Sequence, residues 1–257
     1  MPTLRIQDDG LIRTITLDRP ERRNALNPEM QDELIAAFTA ARSRVVLLAG
    51  AGESFCAGLD LEVLKQMADL SPEQHRVEAE RTARMFRALW ECDVPTIAVV
   101  QGAAMAGGTG LATLCDFTLA APEAQFGYTE ARIGFVPALV SAYLRIQVGD
   151  KLARSLLLTA RRFSAAEAHD MGLVTEVIAR EELQACAQAL AAELLSLSPE
   201  SLRSTKRLLR AQQAAVLDSS LALAMEANAA SRQTADFREG IAAFLEKRKP
   251  VWPGKKS

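Results

Sequence analysis

The first part of the chain alternates between hydrophobic and polar residues. In the stretch "LRIQDDGLIRTITLDRP", apolar side chains recur at about every second position on both sides of Asp9-Gly10. This alternation is typical of strands with one buried face, and Asp-Gly between two such runs is a strong hairpin signal. Three later runs, "RVVLLAG", "PTIAVV" and "FTLAA", are almost continuously apolar. They predict short buried strands.

Helix-start signals follow the predicted hairpin. The stretch "NPEMQDELIAAFTAAR" predicts a helix with Asn27 as its N-cap and Pro28 in its first turn. The apolar stripe of this helix consists of Met30, Leu34, Phe38 and Ala41. Capping boxes begin at Ser71 and at Ser164, and a further helix is expected to start at Ser198.

Strands, loops and helices follow one another through the middle of the chain, and from "GDKLARSLLLTA" onward the sequence is nearly all helical. This order predicts a mixed α/β fold with crossover connections. We expect an α/β core over residues 1–195 and a helical C-terminal region over residues 196–257. The second part is too small and too amphipathic to be stable alone. It is therefore expected to pack on the core or on a neighbouring subunit.

Composition and charge narrow the classes of function. The chain has 257 residues, a net charge of −2 and an isoelectric point of about 5.9, which provide no basic surface for nucleic acid or an anionic membrane. It contains no apolar run of about 18 residues and begins without the apolar segment of a signal peptide. The four cysteines lack CxxC spacing, so a reducing, cytoplasmic location is expected. The two histidines, His75 and His169, are far apart, so neither a metal site nor a Ser-His-Asp triad is expected.

Three loops come directly after predicted strands and lead towards helices. They are "ESFCAGLDL", "QGAAMAGGTGLATLCDF" and "AQFGYTEARIGFVP". Ligands collect at such strand ends in α/β sheets. Two of the loops place glycine where a helix begins, and free N–H groups there favour negative charge. The spacing of a dinucleotide fingerprint is absent, and so is a Walker A loop. The candidate carboxylate is Glu130, in the third loop.

Four motifs in register resemble the crotonase superfamily, which is the enoyl-CoA hydratase/isomerase family. They are "LDRPERRNALN", "SFCAGLDL", the glycine-rich segment and "QFGYTEARIGFVP", and the ending "FLEKRKPVW" also resembles the C-terminus of that family. The resemblance covers nearly the whole chain. It implies an α/β spiral of repeated β-β-α units with a helical C-terminal trimerisation region. It also implies binding of acyl-CoA thioesters and assembly as a homotrimer or a dimer of trimers.

The resemblance further implies a site in which two backbone N–H groups hold the oxygen of a thioester enolate. By motif position, these groups belong to Leu59 and Gly107. Glu130 matches one of the two glutamates that flank a water in typical hydratases of the family. The other glutamate aligns with Gly110, which we expect to leave open space. Asp116 is expected to be structural, and the segment after Pro137 is expected to form a bulkier, more apolar wall than in many members.

CoA is implied as part of the substrate, so no separate cofactor is expected. The residues expected to line its adenine and pantetheine track, chiefly through their backbone, are Ala25, Leu26, Ala57, Asp60 and Leu61. Arg22 or Arg23 is the candidate contact of the CoA phosphates. Phe244 and Lys247 match family positions that close the CoA site from a neighbouring subunit.

A single glutamate leaves two reactions open. It can take a proton from water and return it to Cα of a 2-enoyl-CoA, which is hydration, or it can carry out Δ3,Δ2-isomerisation. We favour hydration, because glycine is expected to leave room for water. The glycine-rich phrase also resembles hydratases of branched acyl-CoA breakdown, such as methylglutaconyl-CoA hydratase. A non-catalytic acyl-CoA-binding paralogue is the third alternative, because the loss of a glutamate is also what decay would look like.

Overall fold

The structure is a computed structural model that describes residues 2–40, 42–67 and 70–253. The strands in these ranges are β1 (Leu4–Asp9), β2 (Ile12–Leu17), β3 (Val45–Gly50), β4 (Thr96–Val100), β5 (Ala104–Met105), β6 (Phe117–Ala120), β7 (Gln125–Gly127), β8 (Arg162–Ser164) and β9 (Glu176–Val177). The helices are α1 (Pro28–Thr39), α2 (Leu61–Met67), α3 (Pro72–Trp90), α4 (Gly107–Leu114), α5 (Ala138–Thr159), α6 (Ala165–Asp170), α7 (Leu183–Ser196), α8 (Pro199–Ser231) and α9 (Ala235–Leu245). Short 3₁₀ helices span Pro20–Arg22 and Glu130–Ile133.

The larger sheet has the strand order β1-β2-β3-β4-β6-β9. Strands β1 and β2 are antiparallel, and Gly10 in the turn between them has a φ of 57°, which confirms the predicted hairpin. The remaining neighbours are parallel. The sheet thus combines one edge hairpin with parallel strands joined by crossovers, as the strand–helix order predicts.

A second, smaller sheet has the order β5-β7-β8, and a bridge between Cys56 and Ala104 extends it. The chain therefore repeats a unit that consists of a strand of the large sheet, a short strand of the small sheet and a helix. Strands β4 and β5 with helix α4 form one such unit, and β6 and β7 with α5 form the next. This arrangement confirms the expected spiral of β-β-α units.

The helix starts follow the predicted signals. The Asn27 side chain accepts a hydrogen bond from the Met30 N–H at 2.9 Å, and complete capping boxes are present at Ser71 and Ser164. Ala41, the last residue of the predicted apolar stripe, lies outside the described residues. The expectation of nearly continuous helix after residue 149 misses strands β8 and β9, which are too short for a period of two to be visible.

Strand β3 is buried on both faces, because helices cover the sheet from both sides. Val46 and Leu48 belong to the larger hydrophobic cluster, whereas Val45 and Leu47 belong to a second cluster, to which helix α7 contributes. Helix α8 contributes Leu217, Leu221 and Ala224 to the larger cluster. The C-terminal helices therefore pack on the core of their own chain. A division between residues 195 and 196 stays a prediction.

In the part of the chain that the structure describes, no helix is long and apolar enough to cross a membrane. The cytoplasmic location stays a prediction.

Two loops meet backbone to backbone at Gly108. A Cβ atom on Gly108 would lie 2.3 Å from the carbonyl oxygen of Cys56. The neighbouring Gly107 has more room, since a Cβ atom there would meet only flexible side chains, the nearest being Leu26 Cδ1 at 3.3 Å. The contact with a backbone oxygen cannot be relieved by a rotamer change, so position 108 requires glycine.

We expect Gly108→Ala to lower the free energy of unfolding by more than about 2 kcal/mol, because the added methyl group must displace backbone. The matched control, Gly107→Ala, should cost less than about 1 kcal/mol, since a leucine methyl group can move away. Urea unfolding followed by circular dichroism measures both. Equal losses in the two variants would contradict the close approach at residue 108.

Candidate active site

The candidate site lies where the loops after β3, β4 and β6 meet. The backbone of Cys56 holds the first two loops together: its N–H donates to the Ala103 carbonyl at 3.0 Å, and its carbonyl accepts from the Met105 N–H at 2.9 Å. Ala106 donates to the Gly127 carbonyl at 2.7 Å and so connects the third loop. The relative positions of the loops are therefore fixed by main-chain hydrogen bonds.

The Leu59 N–H is directed into the site by its neighbours. Leu26 donates to the Gly58 carbonyl at 2.7 Å and accepts from the Asp60 N–H at 2.9 Å. In such a parallel bridge the residue between the two partners points its own N–H to the opposite side. Within the described ranges the Leu59 N–H has no hydrogen-bond partner. It is therefore available to an external acceptor.

The Gly107 N–H is the first of helix α4, and a helix start leaves its N–H groups without intrahelical partners. Ala106, at the N-cap, has φ 50° and ψ −118°, an unusual conformation for a residue with a side chain. Such backbone costs about 1–3 kcal/mol and clusters at functional sites. Here it turns the chain sharply from β5 into α4. The helix dipole adds positive potential at the same place.

Glu130 is the first residue of the second 3₁₀ helix and is only 8% exposed. Its Oε2 atom is buried and has no hydrogen-bond partner among the residues that the structure describes. Burial raises the pKa of this carboxyl group to about 7. A group with a pKa near neutrality can both accept and donate a proton under ordinary conditions.

Two spaces meet at Leu59, Ala106 and Glu130. The first is a cavity of about 50 Å³, and Gly107 also lines it. The second is a cleft of about 330 Å³ that reaches Ala57, Phe244 and several arginines. Leu59, Gly107 and Glu130 thus border one cavity. The structure brings the three candidate catalytic residues together.

The space beside Gly110 is filled, which corrects our expectation that glycine leaves it open. A Cβ atom on Gly110 would lie 2.8 Å from Val140 Cγ1 and 2.9 Å from Phe86 Cε1. Both side chains are buried, and both line the cavity. Val140 belongs to the segment after Pro137 that was expected to be bulky and apolar. This segment does line the cavity, and with Phe86 it occupies the position of the missing glutamate.

Only some of the residues expected to contact CoA line the cleft or the cavity. Ala57 and Phe244 line the cleft, and Leu26 lines the cavity. Phe244 reaches the cleft of its own chain, so its expected reach from a neighbouring subunit stays a prediction. Arg23 and Lys247 are exposed, and both have left-handed backbone.

Contacts of Ala25 and Asp60 help to hold the first loop in shape. The Ala25 carbonyl accepts a hydrogen bond from Arg19 at 2.6 Å. The buried Asp60 carboxylate pairs with Arg19 at 2.7 Å and accepts from the Glu62 N–H at 2.8 Å, at the beginning of helix α2. Leu61 is exposed at that helix start. The side chain of Asp60 is thus engaged within the protein.

Sequence reasoning missed several polar residues around the two spaces. Arg132, Arg162 and Arg248 line the cleft. The cavity is also lined by Gln31, Thr82, Asn228 and Arg232. Apart from Arg132, which lies in the third loop, and Arg248, which lies in the ending "FLEKRKPVW", these residues belong to no motif, and only the three-dimensional fold brings them to the two spaces. No three His, Cys, Asp or Glu side chains of the described ranges form a group that could hold a metal ion.

Asp116 has the structural role that was expected. Its Oδ2 atom accepts hydrogen bonds from the Thr96 N–H at 2.7 Å and from Lys206 Nζ at 2.6 Å. It therefore fastens β4 and helix α8 to the end of helix α4. Asp116 does not line the cavity or the cleft.

Comparison with solved structures identifies the class of fold. The crystal structure of an enoyl-CoA hydratase/isomerase from Xanthobacter autotrophicus superposes with a TM-score of 0.87 at 31% identity, over 98% of this chain and 99% of the other. The fold is therefore that of the crotonase superfamily.

Sequence comparison identifies the family. The sequence profile of the family "Enoyl-CoA hydratase/isomerase" matches residues 8–255. A relative in Thermus thermophilus, named "Putative enoyl-CoA hydratase", is 42% identical over 247 residues, which are 95% of this chain and 98% of the relative. The 1,2-epoxyphenylacetyl-CoA isomerase of Escherichia coli is 32% identical over 250 residues, 95% of each chain. The chain belongs to the enoyl-CoA hydratase/isomerase family and is an enzyme of that type.

Adding one carbon atom at position 110 tests whether the space beside Gly110 is filled. Gly110→Ala should lower the free energy of unfolding by about 1–2 kcal/mol, because overpacking outweighs the gain of up to about 1 kcal/mol in helix propensity. In a Val140→Ala background the same change should cost about 1 kcal/mol less. Urea unfolding of the four proteins of this cycle gives the coupling. Strictly additive effects would mean that Val140 does not occupy the space.

The raised pKa of Glu130 predicts a pH-dependent cost of folding. The folded carboxyl, with its pKa near 7, binds more protons than the unfolded one between about pH 4.5 and 7, so this group destabilises the protein as the pH rises through that window. Glu130→Gln lacks this dependence. Between pH 5 and pH 8, the variant should therefore gain about 2 kcal/mol of stability relative to wild type. Urea unfolding at both pH values tests this, and a pH-independent difference would contradict it.

Proposed function

We infer that the protein processes the CoA thioester of a short 2-enoyl acid with Glu130 as its only carboxylate acid/base. The observation that carries this proposal is the position of Glu130. Its Oε2 is buried, has no hydrogen-bond partner among the described residues, and belongs to a side chain that borders the cavity lined by Leu59 and Gly107. The N–H groups of those two residues would hold the thioester oxygen. Donors fixed before the reaction stabilise the developing negative charge without reorganisation.

Hydration would proceed in two proton transfers. The ionised Glu130 removes a proton from water as the water oxygen bonds to Cβ. The electron pair of the double bond then forms a new π bond between Cα and the carbonyl carbon, and the carbonyl π pair moves onto the thioester oxygen. The resulting enolate is held by the two N–H groups. Glu130 then returns the same proton to Cα, which restores the thioester carbonyl and the ionised carboxylate. One glutamate with a pKa near 7 suits both steps.

The cavity supports hydration over the alternatives. A water molecule needs about 10–15 Å³ of such space, so a cavity of about 50 Å³ has room for a few waters or for a short acyl group. Gln31 and Thr82 give it polar groups that can hold water. A non-catalytic role is disfavoured, because the carboxylate of Glu130 borders the same cavity as the two amides. Hydration of a branched, methylglutaconyl-like substrate is included in this proposal.

Δ3,Δ2-isomerisation is the second candidate, and a specific observation favours it. Phe86 and Val140 fill the place of the second glutamate, so that side of the cavity is dry and apolar. A base that faces an apolar wall can move a proton from one carbon of the substrate to another. One relative is also named as an isomerase, although of an epoxide.

CoA is proposed to lie in the cleft. Its pantetheine arm would pass Ala57 and Phe244, and its phosphates would meet Arg132 or Arg162, which line the same cleft. Guanidinium groups are suited to phosphate through paired hydrogen bonds. The arginines of the cleft are therefore proposed as further phosphate contacts, and Arg22 or Arg23 stays a prediction.

Assembly with further copies of the chain is also proposed. Helix α8 exposes Leu209, Val216 and Leu223, which are 58%, 60% and 70% exposed and lie seven residues apart. A spacing of seven places them along one face of the helix. An exposed apolar row of this kind is typical of contacts between subunits. A homotrimer or a dimer of trimers would cover it.

Glu130→Gln should lower kcat by about 10²–10⁴-fold, because glutamine cannot take up or release the proton. Binding of a saturated acyl-CoA should stay within about threefold of wild type, since the amide has nearly the same shape.

The choice between hydration and isomerisation is decided by assaying three substrates side by side: a straight-chain 2-enoyl-CoA, a 3-methyl-branched 2-enoyl-CoA and a 3-enoyl-CoA. For wild type, kcat/KM should rise with pH and level off above about pH 7, where Glu130 is ionised.

The matched control is Glu181→Gln, at an exposed glutamate outside the cavity and the cleft, which should behave like wild type. Full activity of Glu130→Gln on every substrate would exclude Glu130 as the acid/base. Turnover of the 3-enoyl-CoA alone would replace hydration by isomerisation.

A further inference from the structure

Part of the cavity wall is polar in a way that proton transfer does not explain. Helices α1, α3 and α8 supply Gln31, Thr82 and Asn228 to this part of the wall, and Arg232, the residue directly after α8, completes it. Thr82 and Gln31 are hydrogen-bonded to each other at 3.0 Å, so their polar groups partly satisfy one another. Asn228 and Arg232 are not satisfied in this way. The Oδ1 atom of Asn228 is buried without a partner among the described residues.

Arg232 is a buried cation with free donors. Its residue is only 2% exposed, and its Nε and Nη1 atoms have no hydrogen-bond partner within the ranges described. The guanidinium carbon lies 5.3 Å from the centre of the Phe135 ring. This cation–π contact satisfies one face of the group, whereas the N–H donors point outward in its plane. Buried charges are ordinarily paired, so the free donors indicate a partner that arrives with the ligand.

Two ionisable neighbours of Arg232, Glu78 and His75, do not serve as its counter-charge. Glu78 is close enough to raise the pKa of Arg232, but it forms its own ion pair with Arg81. His75 is 2% exposed, and burial together with the Arg232 cation lowers its pKa, so it stays neutral. Burial lowers the pKa of Arg232 to about 10, at which it remains a cation at neutral pH. Among the described residues, the cavity wall therefore contains one positive group that forms no ion pair.

We propose that Arg232 binds a carboxylate at the far end of the acyl group, so that the substrates are short enoyl-CoA thioesters of dicarboxylic acids. Guanidinium and carboxylate can form two parallel hydrogen bonds, which would satisfy the free donors of Arg232. Asn228 would lie beside this pair, with its amide free to donate to the same carboxylate. The proposal rests on the proposed function in taking this cavity as the acyl site. It adds the chemistry that the distal end of the acyl chain must carry.

The size of the cavity agrees with this substrate class. A volume of about 50 Å³ suits a short acyl chain. Phe135 both contacts Arg232 and belongs to the apolar wall, so an alkyl segment beside the wall would end at the guanidinium group. A short chain with an uncharged end would instead leave the cation unpaired and dehydrated.

The test uses two matched thioesters in the full-length enzyme. One is the five-carbon 2-enoyl-CoA with a carboxylate at C5, and the other has a primary carboxamide in the same position. Wild type should favour the carboxylate by about 10²-fold in kcat/KM, as expected for a charge-assisted bidentate pair. Arg232→Met, which keeps length and removes the charge, should reduce this preference to about threefold or less, mainly by loss on the carboxylate substrate.

Two further variants keep the test decisive. Arg232→Gln serves if Arg232→Met does not fold, which circular dichroism and Tm show. Arg238→Met, at an exposed arginine of α9, should keep the wild-type preference. An equal loss on carboxylate and carboxamide in the Arg232 variants would give Arg232 a structural role only and overturn the proposal. The absence of a preference in wild type would overturn it as well.

Binding of unreactive ligands separates this inference from the proposed reaction. Calorimetry with the saturated five-carbon acyl-CoA, as carboxylate and as carboxamide, should show the same preference and the same loss in Arg232→Met. A preference in binding without turnover of any enoyl-CoA would support the carboxylate site and refute the reaction. Turnover without any preference would refute the carboxylate site and support the reaction.

Discussion

The candidate site depends on the contact of one backbone with another between the loop after β3 and the start of helix α4. Cys56 accepts from Met105 and donates to Ala103, and its carbonyl oxygen lies where a side chain on Gly108 would have to be. This contact sets the distance between the Leu59 and Gly107 amides, which come from two separate turns of the spiral. Main-chain hydrogen bonds hold position better than flexible side chains do. The two amides are therefore held by the backbone itself, at the ends of parallel strands.

The cavity next to these amides contains two buried ionisable groups that dehydration affects in opposite directions. Burial favours the neutral form of Glu130, and Arg232 is a cation that forms no ion pair with the residues that the structure describes. Apolar side chains of the segment after Pro137 and of Phe86 form much of the remaining wall. Low polarity strengthens every remaining electrostatic interaction in such a space. A ligand that supplied the missing negative charge would thus gain both affinity and a fixed orientation.

Much of the fold could be predicted from the sequence, because its signals are local. The turn at Gly10, the cap at Asn27 and the capping boxes each depend on residues within four positions of one another. The three loops of the site could also be located, since they follow apolar strands. The filling of the space at Gly110 could not be predicted, because Phe86 and Val140 come from helices that are distant in sequence. Arg232 was missed for the same reason: its burial depends on the packing of α8 and on Phe135.

A carboxyl group with a pKa of about 7 has a kinetic consequence under the proposed chemistry. Near neutral pH, about half of the resting molecules carry the proton and half do not. Under the proposed mechanism only the ionised half can start, by removing a proton from water in hydration or from Cα in the reverse reaction. The forward and the reverse reaction thus begin from the same population of enzyme. Such a catalyst has no preferred direction of its own, and the concentrations of substrate and product decide which way material flows.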